Sequence, residues 1–213
     1  MSEPLIIFEN NWIFRIRKPE TDTHKVIFLV HGWTGDENSM WVFAPLFPKD
    51  AWLIAPRGVL QANPGGFGWV PTDLINPSKL DDFILPAQMF FDHSNQLMKS
   101  LKIFSPKVEL AGFSQGAALV YSTLVLYPGW AAKAACMSGF LPKQFEYHPN
   151  FNKFSLGNIL ITHGNQDKTI PINEAFRAES ILKTSGASVR LVSDSSGHKL
   201  GVNGSKAVKA FFG

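Results

Sequence analysis

The chain predicts an α/β fold, a mostly parallel central sheet flanked by helices. Three observations carry that prediction. Continuous apolar runs such as Lys25–Val30 (KVIFLV) have the composition of strands buried on both faces. Segments with apolar residues at helical spacing alternate with these runs, and strands alternating with helices imply parallel pairing. Third, the short apolar run Val108–Ala111 passes through Gly112, Phe113, Ser114, Gln115 and Gly116 into a small-residue apolar segment ending near Val125, which reads as strand, tight turn and helix.

Taken in order, Leu5–Phe8 and Trp12–Arg17 are rich in strand-forming residues. Glu9, Asn10 and Asn11 separate them, so the chain is expected to open on an antiparallel hairpin. Lys25–Val30 is the first buried parallel strand and ends in His31-Gly32-Trp33-Thr34-Gly35-Asp36. A helix is expected from about Asn38 to Leu46, and Ala51–Ala55 is the next strand, closing at Pro56. Residues 57–81 are rich in Gly, Pro and Asn and contain GGFGW. They read as a long loop over the sheet, and a loop of that length in a compact domain is usually functional. Leu80–Leu101 has helical spacing and Lys107–Ala111 is the strand before the turn. Ala131–Met137 and Asn158–Thr162 read as strands, Ile172–Thr184 as a helix, Ser188–Val192 as the last strand and Gly204–Phe212 as a closing helix. No internal repeat appears, and no insertion is large enough for a helical cap domain.

The 213 residues suit a single domain spanning 1–213, with 57–81 as its active-site loop. A hydrophobic content of 45% and a mean hydropathy of +0.01 describe a globular chain with a full core. A net charge of +3 without any Lys/Arg run argues against nucleic-acid binding. The first residues, MSEPLIIFENNWIF, lack the basic and long apolar regions of a signal peptide, and no apolar run approaches the length of a membrane span. The lone Cys136 excludes an internal disulfide and suits a reducing cytoplasm, so a cytoplasmic protein without stable membrane insertion is expected. In the apolar run AAKAACMSG, Cys136 reads as a buried strand residue rather than a second nucleophile.

In parallel α/β sheets the site lies at the carboxyl ends of the strands. Here four strand ends deliver His31-Gly32-Trp33, Ser114, His163 through Asp167, and Gly197-His198. Nucleophile, acid and base candidates therefore come in the order Ser114, Asp167, His198. A serine hydroxyl is a poor nucleophile at neutral pH and needs a base within reach. An imidazole titrates near neutrality and must be held in one tautomer by a carboxylate. A sharp strand-to-helix turn strains the serine backbone and brings the helix against neighbouring strands, so a Cβ at position 112 or 116 would collide. The backbone amides of Trp33 and Gln115 are the candidate oxyanion donors. The bare Gly-x-Ser-x-Gly pattern is weak, expected by chance on the order of once in fifteen chains this long. The competing reading is a glycine-rich turn with an ordinary serine. The ordered partners are what strengthen it.

The sequence resembles the phospholipase/carboxylesterase family of small α/β-hydrolases, which includes acyl-protein thioesterases and bacterial carboxylesterases. The matching strings are HGWTGDE at 31–37, APRG at 55–58, GGFGW at 65–69, GFSQGAAL at 112–119, SGFLP at 138–142, THGNQDKTIPI at 162–172 and GH at 197–198. They cover nearly the whole chain. The resemblance implies an α/β-hydrolase fold, a triad of Ser114, Asp167 and His198, and oxyanion donors at Trp33 and Gln115. It departs from the family at Ala117, where a second glycine is frequent, at the bulky Trp33, and at Val70 after Trp69, where an aromatic is frequent.

Several residues carry two readings. Asp167 either orients His198 or caps the helix beginning near Pro171. Asp194, its rival, reads as an Asx-type turn residue before His198. His31 and His163 read as hydrogen-bonding residues rather than metal ligands, and no metal is expected. Asp36 either braces the oxyanion loop by accepting backbone N–H bonds or is a plain turn residue. His24, His93 and His148 read as ordinary surface or core histidines. Trp33, Phe67, Trp69, Phe140 and Leu141 are the candidate substrate-binding residues, with core packing as the alternative. The expected activity is that of a serine hydrolase cleaving carboxylic esters through an acyl-enzyme, on a small-molecule ester or acyl substrate, with no cofactor, as a monomer or homodimer. A thioesterase or lysophospholipase acting on long acyl chains is the alternative, with an extended groove over Gly65–Leu85. A ligand-binding hydrolase fold without catalysis is the remote one.

Overall fold

In the computed structural model, which describes residues 5–9, 12–72, 78–153 and 157–213, the elements follow in order. Strands β1 (Leu5–Glu9), β2 (Trp12–Arg17) and β3 (Val26–Val30) open the chain, and a 3-10 helix at Ser39–Leu46 precedes β4 (Trp52–Pro56). Two short strands, β5 (Leu60–Gln61) and β6 (Phe67–Gly68), lead to α1 (Leu80–Ser100), β7 (Val108–Phe113) and α2 (Gln115–Leu126). β8 (Ala131–Met137), β9 (Asn158–Gly164), α3 (Asn173–Thr184), β10 (Ser188–Asp194) and α4 (Val202–Phe212) complete it.

Eight strands form one sheet in the order β1-β2-β4-β3-β7-β8-β9-β10. β1 and β2 pair antiparallel, as the opening hairpin requires, though the expected turn at Asn10 and Asn11 lies outside the described residues. β2 also runs antiparallel to β4, and every pairing from β4 to β10 is parallel. The strands alternate their side chains between two cores. Val26, Phe28 and Val30 point into the larger one, which α1, α2 and α3 cover. Ile27 and Leu29 point into the smaller one with Met40, Phe47, Val208 and Phe212, beneath the 3-10 helix and α4. Apart from its last residue, α2 is buried all round, because it lies against β7 and β8 on one side and α1 on the other. This explains why its sequence is apolar on every face.

The helix expected at about 38–46 is present as a 3-10 helix over Ser39–Leu46, and one expectation, the long loop, needs correction. Pro45 lies within it and supplies no N–H for a longer ladder. Residues 57–81 are not a bare loop, since β5 and β6 pair in an antiparallel ribbon and Phe67 bridges to Gly35. Residues 73–77 of that stretch lie outside the described residues. Among the described residues no helix is long and apolar enough to cross a membrane, and none forms a cap over the sheet.

Candidate active site

The site stands at the carboxyl ends of β3, β7, β9 and β10. β7 runs through Phe113 into Ser114, which has φ 55° and ψ −119° and passes directly into α2. A non-glycine residue in that region is strained and persists only where its surroundings over-determine it. Here the Ser114 amide donates to the Met137 carbonyl at 2.9 Å. The glycines permit the close approach. A Cβ on Gly112 would lie 2.4 Å from the Gly116 oxygen, and one on Gly116 would lie 2.2 Å from the Val30 oxygen.

Ser114 Oγ stands 3.0 Å from His198 Nε2, and His198 Nδ1 stands 2.7 Å from Asp167 Oδ2. The other oxygen of Asp167 accepts the backbone amides of Thr169 at 2.8 Å and Ile170 at 2.9 Å, so the carboxylate is held by its own turn and does not cap α3. His163, fully buried beside it, has Nε2 2.8 Å from the Ile170 carbonyl and 3.5 Å from Asp167 Oδ2. The loops after β9 and β10 are joined by backbone bonds, Asn165 to the Asp194 carbonyl at 2.8 Å and Gln166 to the Ser196 carbonyl at 2.9 Å. Asp167 and His198 therefore sit on two loops held as one unit. Asp194 is not a local turn residue as expected. Its two oxygens accept the amides of Asn203 at 2.9 Å and Gly204 at 2.8 Å, at the N-terminus of α4.

The loop after β3 is built around a buried His31. Its Nδ1–H donates to the Gly32 carbonyl at 2.7 Å and its Nε2 accepts the Gly58 amide at 2.8 Å, which is hydrogen bonding of the kind expected for it. Burial lowers its pKa, more than the Gly32 bond and the nearby carboxylates raise it, so the ring is held neutral. Asp36 accepts the amides of Asn38 and Ser39 at 2.9 and 3.0 Å, at the start of the 3-10 helix. Burial raises its pKa, but bonds from the Asn38 and Ser39 side chains, together with those two amides, outweigh burial and hold the carboxyl below the usual range. No described group accepts a hydrogen bond from the Trp33 amide. The Gln115 amide stands in the first turn of α2, where helix N–H groups have no intrahelical partner.

Sequence reasoning missed two features. Glu37, 3% exposed, makes a two-point ion pair with Arg57 at 2.5 and 2.7 Å, which ties the loop after β3 to the chain after β4. The adjacent acid in HGWTGDE and the arginine in APRG were visible signals. The Phe113 ring packs 5.1 Å from the His198 ring, and nothing but the strand's alternation would have found it.

The candidate substrate-binding residues divide. Trp33 and Phe140 are half-buried, Trp33 against Gly68 and Phe140 against Phe83. Phe67 is half-buried and lines a cavity of about 430 Å³ with Trp12, Arg57, Val59, Met89 and His93, and Ser114, Asp167 and His198 are not among its lining residues. Trp69 is a correction. It is 2% exposed, packs on Trp12 and His31, and donates its indole N–H to the His31 carbonyl at 2.8 Å, so it is core rather than groove wall. Leu141 is likewise fully buried, and its carbonyl accepts from Arg177. Cys136 is a buried strand residue, with its thiol pushed up by burial and thus unsuited to nucleophilic work. Among the described residues no cluster of three or more His, Cys, Asp or Glu side chains is arranged to hold a metal.

A sequence model of the phospholipase/carboxylesterase family matches residues 11–212. The chain is 28% identical over 188 residues to the esterase YpfH of Escherichia coli (strain K12), covering 84% of this chain and 77% of that protein. A carboxylesterase from Mesorhizobium loti superposes with a TM-score of 0.86 at 22% identity, covering 99% of this chain and 98% of that one. The Bacillus cereus carboxylesterase gives 0.80 at 18% identity, covering 95% and 94%. Acyl-protein thioesterase 2 of Zea mays gives 0.75 at 21%, covering 93% and 96%. These likenesses assign the α/β-hydrolase fold.

Proposed function

The chain belongs to the phospholipase/carboxylesterase family, and from that premise we propose that it is a single-domain serine esterase working through Ser114, His198 and Asp167. It is an esterase of the carboxylesterase kind, acting on a small-molecule substrate. The observation that carries the residue assignment is the continuous hydrogen-bonded line from Ser114 Oγ to His198 Nε2 at 3.0 Å and from His198 Nδ1 to Asp167 Oδ2 at 2.7 Å.

The chemistry follows from that line. Asp167 keeps the proton of His198 on Nδ1, which leaves Nε2 free to accept. Ser114 Oγ attacks the ester carbonyl carbon while its proton passes to Nε2. The carbonyl oxygen becomes an oxyanion facing the amides of Trp33 and Gln115, and the α2 N-terminus favours its charge. As the tetrahedral species collapses, the C–O bond to the alcohol breaks and Nε2 returns the proton to the leaving oxygen. Water then loses a proton to Nε2, adds to the acyl carbon, and Ser114 leaves with that proton restored. The strained backbone of Ser114 aims Oγ away from α2 and toward His198.

The test is hydrolysis of nitrophenyl esters from acetyl to palmitoyl, with Ser114→Ala alongside. Hydrolysis by the parent and none above background by Ser114→Ala supports the reading, and the chain-length maximum separates a short-acyl carboxylesterase from a long-acyl thioesterase or lysophospholipase. Activity that survives Ser114→Ala overturns it.

A further inference from the structure

The Gln115 side chain does something that its backbone role does not require. It is 3% exposed, and both ends of its carboxamide are used: Oε1 accepts the Trp69 amide at 2.8 Å and Nε2 donates to the Val70 carbonyl at 2.8 Å. Trp69 and Val70 are each 2% exposed, so these backbone groups have no water to fall back on. The chain just before them lies on the oxyanion loop. A Cβ on Gly68 would sit 2.1 Å from Trp33 Cε3 and 3.1 Å from Gln115 Oε1, so the Gly68 backbone is pressed between the Trp33 ring and the Gln115 carboxamide. A Cβ on Gly66 would sit 2.1 Å from the Thr34 carbonyl oxygen. Two further bonds run alongside, Phe67 amide to the Gly35 carbonyl at 2.7 Å and Trp69 indole to the His31 carbonyl at 2.8 Å.

We infer that the Gln115 side chain is a positioning residue: its carboxamide grips the 68–70 backbone, and that segment in turn fixes Trp33, which adds a second tie between the two oxyanion donors to the direct packing of Gly116 on the end of β3. This rests on the donors assigned above. The reason such a tie matters is geometric. Both amides must converge on one oxygen position, yet Gln115 belongs to α2 and Trp33 to a loop with a left-handed residue, Thr34 at φ 64°, directly after it. Helix and loop share no backbone ladder. Gly116 meets the Val30 and His31 carbonyls where the helix starts, and residues 66–70 touch both helix and loop beyond that point, with Gln115 the side chain that holds them from the helix side.

The experiment compares the parent with Gln115→Met, which keeps the residue's length and its backbone amide but neither hydrogen bond, and with Trp69→Phe, which removes the bond to His31. Steady-state hydrolysis of nitrophenyl butyrate is normalised to active sites counted by fluorophosphonate mass labelling, and affinity for phenylboronic acid, which forms a tetrahedral adduct on serine, is measured beside it. The expected result is a fall in kcat per labelled site of about 10- to 100-fold, with KM within about threefold and boronate affinity reduced by a factor similar to that in kcat/KM. A kcat within twofold of the parent, whatever the melting temperature does, overturns the inference, as does a change confined to KM. If Gln115→Met yields no folded protein, Gln115→Asn, whose shorter carboxamide cannot reach both the Trp69 amide and the Val70 carbonyl, decides on the same readouts. Activity surviving Ser114→Ala would sink the assignment of the site itself. An inactive Ser114→Ala with an unimpaired Gln115→Met sinks only the positioning role.

Discussion

Replacing Gly116 by alanine puts a methyl carbon 2.2 Å from the Val30 oxygen, 2.4 Å from the His31 oxygen and 2.7 Å from the Val30 carbon. All three neighbours are backbone, so no side chain can swing aside. Ordinary contact begins at 3.4 Å, which means that α2 and the end of β3 must separate by roughly 1 Å. Overpacking of this kind costs about 1–3 kcal/mol. In a chain of this size that corresponds to a melting temperature lower by roughly 2–12 °C. The kinetic effect should be larger than the stability effect. The two elements forced apart carry the Gln115 amide on one side and lead into Trp33 on the other, and a 1 Å misplacement can cost about 100-fold in rate. Gly157→Ala is the control, because a Cβ there meets nothing within 4 Å. The assay is nitrophenyl acetate hydrolysis per labelled active site, together with calorimetric melting. A Gly116→Ala protein that keeps the parent's kcat refutes the argument that the elbow's packing sets the oxyanion geometry. Equal destabilisation by Gly157→Ala would refute the steric account of stability.

Glu37→Gln should lower stability by about 2–3 kcal/mol, less than the loss for a fully buried pair because the Arg57 side chain is 27% exposed. Burial raises the Glu37 pKa, but the bonds from Arg57 outweigh it and hold the carboxyl below its ordinary value of 4.5. The pair's contribution is therefore present above that value and is lost as pH falls through the lower folded pKa, so melting of the parent should fall more steeply below about pH 4.5 than that of Glu37→Gln. Parallel melting curves against pH would rule this out. Asp194→Asn replaces an acceptor at the start of α4 and should cost about 1 kcal/mol in calorimetry while leaving kcat within about tenfold. Asp167→Asn should reduce kcat by about 10⁴. If the two substitutions exchange these effects, the carboxylate partner of His198 has been misassigned.

Much of the fold was legible because the parallel strands are largely apolar, β3 and β4 without interruption and β7, β8 and β10 around Glu109, Lys133 and Arg190, with a glycine or proline near the end of each. Ala131–Met137 matched to the residue. The failures lie where the deciding contact is distant in sequence. β5 and β6 are each two residues long, too short to show a period of two, and their ribbon is docked by the Gly35–Phe67 bridge. Asp194 has the residue type of a turn, and its actual partners stand nine and ten positions further on. The Glu37–Arg57 pair spans 20 positions, with the two residues in separate motifs.

The same distinction explains why the approach of Ser114, Asp167 and His198 to one another could be read and the surroundings of the aromatic candidates could not. Ser114, Asp167 and His198 are brought together by topology: each lies just past the end of a strand, and the order of strands in a parallel sheet places those ends side by side. A side chain on a groove has no such address. Trp33 and Trp69 are both tryptophans beside glycines, yet Trp33 is half-buried while Trp69 is 2% exposed. What separates them is an acceptor for the Trp69 indole, the His31 carbonyl 38 positions earlier, and the space between Trp12 and Phe90 that its ring occupies. An aromatic residue supplies the apolar area that a core and a groove both use. Its hydrogen-bond partner and its neighbours from other elements decide which one it joins, and those are properties of the assembled sheet and helices rather than of any local stretch of chain.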